Sequence, residues 1–266
     1  MNMSKKKPDQ EAKSVEETPA SRAYCSDIPA NASEKIVSFY TEDENAREQG
    51  GTIHYERREY LLDGELVGYR QFDHEGRLII ETPMKDMRKH GTEYTWYWYA
   101  PDCLSLSEPY ENGKVHGTAR QWTIGGELMG SYTLEHGTGY DVWRIQDEED
   151  GLIYVSEIHA LQDGKLHGFQ YWLNRDQKTI VGERHWNEGF LHGIERHWTD
   201  DGQMADGYPK FYIDDREVPK NLYMEEQRRD ESLPRYDKKD DINARHFPES
   251  LLARPVALEY SKKLNS

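Results

Sequence analysis

The chain has 266 residues, of which 34 are basic and 50 acidic, giving a formal net charge of −16 at pH 7. Hydrophobic residues make up 35% of the chain and its mean hydropathy is −1.01. This composition leaves no segment apolar enough to span a membrane, and the acidity should repel nucleic acid and anionic lipid.

Residues 1–53 are predicted to be a disordered or irregular N-terminal segment. Residues 1–22 mix Pro, Glu, Ser and Lys without an apolar stretch, so they contain no signal-peptide core. Further along, Glu34 to Tyr40 could form a short strand or a helix. The only cysteines, Cys25 and Cys103, fit no metal spacing or redox motif. A reduced, cytoplasmic protein is therefore predicted, although a disulfide between the two stays open.

One hexapeptide recurs in the middle of the chain. Its copies lie at Asn112 to Gly117, Asp163 to Gly168 and Glu188 to Gly193, with a partial copy at Arg88-Lys89-His90-Gly91. The steps along His90, His116, His136, His167 and His192 are 26, 20, 31 and 25 residues. Since the middle two steps sum to about twice the others, we predict a repeat of about 25 residues in which the His136 unit is degenerate.

Turn chemistry predicts what each unit folds into. Asn-Gly and Asp-Gly between apolar runs favour two-residue hairpins, because type I′ turns need positive φ at both central residues. Strands are predicted at Glu65 to Phe72, Arg77 to Met84, Lys89 to Tyr99, Leu104 to Tyr110, Lys114 to Thr123, Glu127 to Leu134, Leu152 to Leu161, Lys165 to Leu173, Lys178 to Trp186 and Phe190 to Trp198. Residues 54–212 are therefore predicted to be all-β, a repetitive antiparallel hairpin meander with no helix longer than two turns.

Aromatic and acidic side chains supply the candidate interaction residues of this repeat domain. All seven Trp lie within residues 54–212, and four keep a similar distance from a repeat histidine: Trp96, Trp122, Trp172 and Trp198. The same region holds 28 acidic and 16 basic residues, so it carries −12 of the net −16. That charge either attracts a basic protein or only keeps the sheet soluble. The acidic candidates are Glu127, Glu183 and Glu195.

The His-Gly pairs of the repeats are predicted to be structural: His90-Gly91, His116-Gly117, His167-Gly168 and His192-Gly193. The glycine allows a bulge, and the imidazole is expected to bond a neighbouring turn. Equivalent histidines two strands apart would be separated by roughly 10 Å, too far to share one zinc ion. The acidic run Asp147 to Asp150 resembles a calcium loop only in part, and no nucleophile, dinucleotide or phosphate motif occurs. We therefore expect no metal, no cofactor and no catalysis.

Residues 213–266 are predicted to be a charged, extended C-terminal tail. Glu225 to Glu231 could form a helical turn or two. Ile242 to Ser266 has scattered apolar pairs such as Leu251-Leu252, and could either stay unstructured or dock on the sheet or a partner.

The units from Asn112 to Trp122 and from Glu188 to Trp198 resemble the MORN-variant repeats of the YwqK-type family of antitoxin components. The similarity covers roughly residues 54–212, and the His136 unit departs from it because it lacks the Asn-Gly-Lys turn. What the resemblance implies is an all-β, non-catalytic scaffold that binds another protein.

Two functions of different classes remain open. The first is a protein-binding scaffold, antitoxin-like, that covers a basic toxin or enzyme with an acidic, aromatic sheet. The alternative is a repeat module that binds a polysaccharide or membrane headgroups through Trp side chains spaced ~10 Å apart along the sheet.

Overall fold

The computed structural model describes residues 19–41, 53–241 and 245–247. Its strands form one sheet of 18 strands. In chain order they are β1 Ser33–Thr41, β2 Ile53–Leu62, β3 Glu65–Phe72, β4 Leu78–Lys85, β5 Arg88–Lys89, β6 Gly91–Tyr97, β7 Ala100–Glu111, β8 Lys114–Val115, β9 Gly117–Trp122, β10 Leu128–Glu135, β11 Thr138–Gln146, β12 Ile153–Gln162, β13 Lys165–Leu173, β14 Ile180–Asn187, β15 Phe190–Leu191, β16 Gly193–His197, β17 Lys210–Ile213 and β18 Arg216–Val218. Neighbouring strands pair antiparallel, which confirms the all-β hairpin meander.

The predicted strands agree well with the observed ones where the turns before and after a strand both have a clear turn sequence. Strands β3 and β13 have the predicted bounds. Three predicted strands are instead split into a two-residue strand and a longer one at a repeat histidine: β5–β6 at His90, β8–β9 at His116 and β15–β16 at His192. The Gly that follows each of these histidines has positive φ: 105° at Gly91, 116° at Gly117 and 151° at Gly193. This is the predicted irregularity of the His-Gly pairs.

The sheet extends past the predicted repeat domain at both ends. Strand β1 includes Glu34 to Tyr40, where the sequence left a short strand or a helix open, and it pairs along its whole length with β2. After residue 212 the chain forms β18, the helix α2 Lys220–Glu226 and a short 3₁₀ helix at Lys238–Asp241, so the helix begins before the predicted Glu225. A one-turn helix, α1 Pro19–Ala23, precedes β1. The rest of the predicted disordered N-terminus and C-terminal tail lies outside the described residues.

The hairpin turns along one side of the sheet, where the strands end, set the period of the repeat. Each places positive φ at two consecutive residues, beginning at Asp63, Asp86, Asn112, His136, Asp163, Glu188 and Asp214. The steps between these positions are 23, 26, 24, 27, 25 and 26 residues. His136, with φ of 49°, therefore lies in the turn and corresponds to Asn112. The prediction that His136 is the repeat histidine of a degenerate unit was therefore wrong. Because of this error, strand β11 was not predicted.

Among the described residues, most of the buried apolar side chains belong to three clusters along the sheet. The largest includes Tyr132, Leu134, Tyr171 and Trp198, and Phe247 of the C-terminal segment packs against Tyr171 at a ring distance of 5.3 Å. The chain segments outside the sheet therefore contribute to its core.

A second cluster joins Ala20 of α1 to Tyr94, Leu104 and Trp122. The third places Tyr223 of α2 on Phe211 of β17, with a ring distance of 5.0 Å. Within the described part of the chain, no helix is long and apolar enough to cross a membrane.

Candidate interaction surface

Three of the repeat histidines each connect a hairpin turn to the next one. The Nδ1 atom of His116 accepts the main-chain N–H of His136 at 3.1 Å, and those of His167 and His192 accept from Glu188 at 3.4 Å and Asp214 at 3.2 Å. In each case the donor is the first residue of the following turn. The prediction that the imidazole bonds a neighbouring turn is therefore confirmed for three copies. In the fourth, His90 Nδ1 is buried and has no partner among the described residues.

His116 and His136 lie closer together than the sequence predicted. Their rings stack with centroids 4.1 Å apart. They come this close because His136 lies in a hairpin turn and is not the residue equivalent to His116 in the next repeat. Together with Glu111 they bring three potential ligand atoms within 4.8 Å of one another. However, an Nδ1 atom that accepts an N–H bond leaves the proton of a neutral imidazole on Nε2. His116 Nε2 is then a donor, and the two remaining groups are too few to hold zinc.

A serine, a histidine and an aspartate also meet at the end of the sheet. Ser232 Oγ lies 3.0 Å from His192 Nε2 but donates its proton to Asp230 Oδ1 at 2.5 Å. His192 Nε2 lies 3.2 Å from the other carboxylate oxygen of Asp230. The bond from Ser232 is the largest cause that lowers the pKa of Asp230, with His192 adding to it. Since Ser232 donates its proton to Asp230 and not to His192, the arrangement holds the C-terminal segment in place and does not activate Ser232 as a nucleophile.

Two of the three acidic candidates are not available to a partner. Glu183 is completely buried and accepts from Arg196 Nη1 at 2.6 Å and from Arg245. Burial raises the pKa of Glu183 although both guanidinium groups oppose the shift. Glu195 is also buried, 2.7 Å from Arg184 Nε. The prediction that Glu183 and Glu195 are surface charges was therefore wrong, because an arginine on a paired strand neutralises each carboxylate. Glu127 is exposed as predicted.

The four candidate Trp side chains do not form an exposed row. Trp122 and Trp198 belong to the core, with 5% and 1% of their surface exposed. Trp172 is partly covered by the Arg184 guanidinium, 5.1 Å from its ring. Trp96 packs edge-on against Tyr24, with centroids 5.3 Å apart. A continuous stacking platform for a sugar polymer is therefore absent among the described residues, and Trp122 and Trp198 cannot be interface anchors in this conformation.

Other aromatic side chains, not selected from the sequence, are exposed. Trp98 is 77% exposed at the β6–β7 turn and contacts Tyr99, itself 56% exposed, with centroids 5.2 Å apart. Tyr97, the last residue of β6 before this turn, donates from its hydroxyl to Trp122 O at 2.7 Å, which holds the turn against strand β9. Trp143 on β11 is 37% exposed. The run Trp96-Tyr97-Trp98-Tyr99 was the available signal, because side chains alternate along a strand and four consecutive rings cannot all be buried on one face.

These rings border an open groove of about 370 Å³ across strands β4 to β11, which we call the aromatic groove. Its apolar walls include Trp96, Tyr97, Trp98, Met129 and Trp143, and the buried polar side chains of Gln121 and Arg144 also line it. Arg144 donates to Gln121 Oε1 at 3.4 Å and to Ser131 O at 3.1 Å. The groove can therefore take an apolar group beside a hydrogen-bonding one.

A scan of the sequence against protein-family models finds no match, and a search of curated proteins finds none either. The resemblance to MORN-variant repeats therefore depends on the repeated hexapeptide and the Trp spacing alone.

Proposed function

We propose that this protein is a non-catalytic repeat scaffold, of the MORN-variant type, that binds another protein through the aromatic groove. The observation that carries the proposal is the exposure of Trp98 and Trp143 at the border of an apolar groove. Contiguous apolar surface of this kind is typical of interaction sites, and Trp and Tyr are enriched among the side chains that dominate binding energy.

The charge of the repeat region supports a basic partner. Residues 54–212 carry a net charge of −12, from 28 acidic and 16 basic residues. In the chain, Asp102 lies between the groove residues Trp98 and Ser105, and Glu127 lies just before the groove residue Met129; both carboxylates are exposed. Such a surface should accelerate association with a cationic protein and slow it as salt rises. A basic toxin or enzyme neutralised by this sheet would fit the family resemblance.

Site-specific photo-crosslinking in the native host tests this function. A photoreactive phenylalanine analogue is placed at position 98 in one variant and at position 190 in another. Phe190 is the matched control, because it is 52% exposed and lies at the opposite ends of the strands. We expect position 98 alone to capture one defined basic protein, identified by mass spectrometry. Absence of an adduct at position 98, or the same adducts at both positions, would contradict the proposed function.

A further inference from the structure

The aromatic groove contains a buried hydrogen-bond donor without an acceptor. Gln121 is 2% exposed, and its Nε2 atom has no hydrogen-bond partner among the described residues. The orientation of the amide follows from Arg144, whose Nη1 donates to Gln121 Oε1 at 3.4 Å. A flipped amide would bring two donors together. The side chain therefore offers an N–H group in a place where a protein normally provides an acceptor.

The apolar walls and the Gln121 N–H donor together determine which kind of ligand fits the aromatic groove. At about 370 Å³ the groove is near the lower end of typical ligand pockets, roughly 300–1,000 Å³, and has room for a large side chain and the main chain beside it. A hydrocarbon would fill the walls but leave the Gln121 N–H without an acceptor. An extended peptide supplies both, because a main-chain carbonyl adjoins each side chain.

Charge decides which peptide is favoured. Arg144 already donates to Ser131 O and Gln121 Oε1, so it does not require an acidic ligand. Asp102 and Glu127, which lie close to groove residues in the chain, have exposed carboxylates that repel acidic side chains.

From these observations we infer that the aromatic groove binds an extended segment of a partner protein that carries one large apolar side chain flanked by Lys or Arg. The apolar side chain packs between Trp98 and Trp143, and a neighbouring main-chain carbonyl accepts the N–H of Gln121 Nε2. This inference rests on the proposed function and specifies the chemistry of the partner.

Selection of a random peptide library on the full-length protein, followed by fluorescence titration with a synthetic selected peptide, tests the inference. We expect enriched peptides to share Leu, Met, Phe or Trp next to Lys or Arg. Lauric acid and a β-linked glucose tetramer serve as competitors. Enrichment of acidic peptides, no enrichment, or displacement of the peptide by either competitor would overturn the inference.

Substitutions then assign the contacts. Gln121→Met should weaken peptide binding about tenfold and change the melting temperature little, because the lost donor has no partner in the free protein and Arg144, which loses the 3.4 Å bond to Gln121 Oε1, keeps its bonds to Val142 O and Ser131 O. Trp98→Ala should weaken binding by at least tenfold and Phe190→Ala should leave it unchanged. Unchanged affinity in Gln121→Met would refute the role of this amide. A crosslinked partner at position 98 combined with failure of every peptide would reject the inference while leaving the proposed function intact.

Discussion

His192 Nε2 lies 3.2 Å from Asp230 Oδ2, so a histidine of the repeat motif also fastens the segment that follows the sheet. Its Nδ1 atom is occupied by the N–H of Asp214 at the next turn. The same side chain thus joins three parts of the chain: the break between β15 and β16, the β17–β18 turn and the residues after α2. His116 bonds the next turn in the same way, but its partly exposed ring stacks on His136 and lies near Glu111 instead of packing on the C-terminal segment.

We expect the alanine substitutions of these two histidines to differ in cost. His192→Ala removes a buried ring and leaves Asp230 without this partner, so it should lower the free energy of unfolding by ~2–3 kcal/mol, whereas His116→Ala should cost ~1 kcal/mol or less. Urea denaturation of both variants measures the difference. Equal losses would show that the contact with Asp230 contributes nothing.

The glycines after the repeat histidines provide a second prediction. Gly168 has φ of 90°, and a Cβ atom there would meet only Ala160 Cβ, at an ordinary 3.4 Å. Gly168→Val should therefore cost ~1–3 kcal/mol through backbone strain alone. Gly193→Val should cost more, because its Cβ would lie 2.7 Å from His185 Cβ.

Gly125→Ala is the matched control for this series, since Gly125 is exposed and its added Cβ would have only an ordinary contact with Thr123, at 3.6 Å. Its effect on the free energy of unfolding should stay within ~0.5 kcal/mol. A melting temperature of Gly168→Val at or above that of the wild type would reject the strained backbone.

The hairpins were predictable because their determinants are local. Asn112-Gly113 and Asp163-Gly164 need no distant contact to adopt type I′ geometry, with φ of 52° and 87° in the first pair and 57° and 83° in the second. The phase of His136 was not predictable from its identity, since the His-Gly dipeptide occurs both at turns and at strand breaks.

The burial of several candidate side chains depends on contacts between residues far apart in the chain. The alternation of side chains along one strand does not reveal such contacts. Trp122 is covered by Ala20, about 100 residues earlier, and Glu183 is paired with Arg245 from the C-terminal segment. A sequence scan therefore treats these side chains as surface residues. Trp98 was missed for the opposite reason, because it lies in a turn outside the His-to-Trp spacing.

His159 gives a prediction for the dependence of stability on pH. Its Nδ1 lies 3.1 Å from Asp141 Oδ1 and its Nε2 lies 2.9 Å from Glu157 Oε2. Burial alone lowers the pKa of His159, but the two neighbouring carboxylates outweigh it and raise the pKa above its ordinary value. The charged imidazole therefore stabilises the fold at pH values below the ordinary pKa of about 6.5, and this stabilisation is lost as the pH rises through the folded-state pKa.

Comparison of the wild type with His159→Gln isolates this contribution. The stability advantage of the wild type should be larger at about pH 5.5 than at about pH 8.5, as measured by urea denaturation. His185, whose pKa is lowered by burial, titrates in both proteins and cancels in the difference. An advantage that grows with pH would mean that burial of His159 dominates over its two carboxylate partners.

The last prediction separates a core ring from a surface ring. Trp122 is 5% exposed and packs with Ala20, Tyr94 and Leu104, so Trp122→Ala should lower the free energy of unfolding by ~3–5 kcal/mol. Trp122→Phe should cost much less, because it keeps an aromatic ring and removes an indole N–H that is buried without a partner among the described residues. Trp98→Ala, at a position 77% exposed, should change stability by no more than ~0.5 kcal/mol. If Trp98→Ala destabilises the protein as much as Trp122→Ala, the ring at position 98 supports the fold, and its exposure no longer argues for a partner.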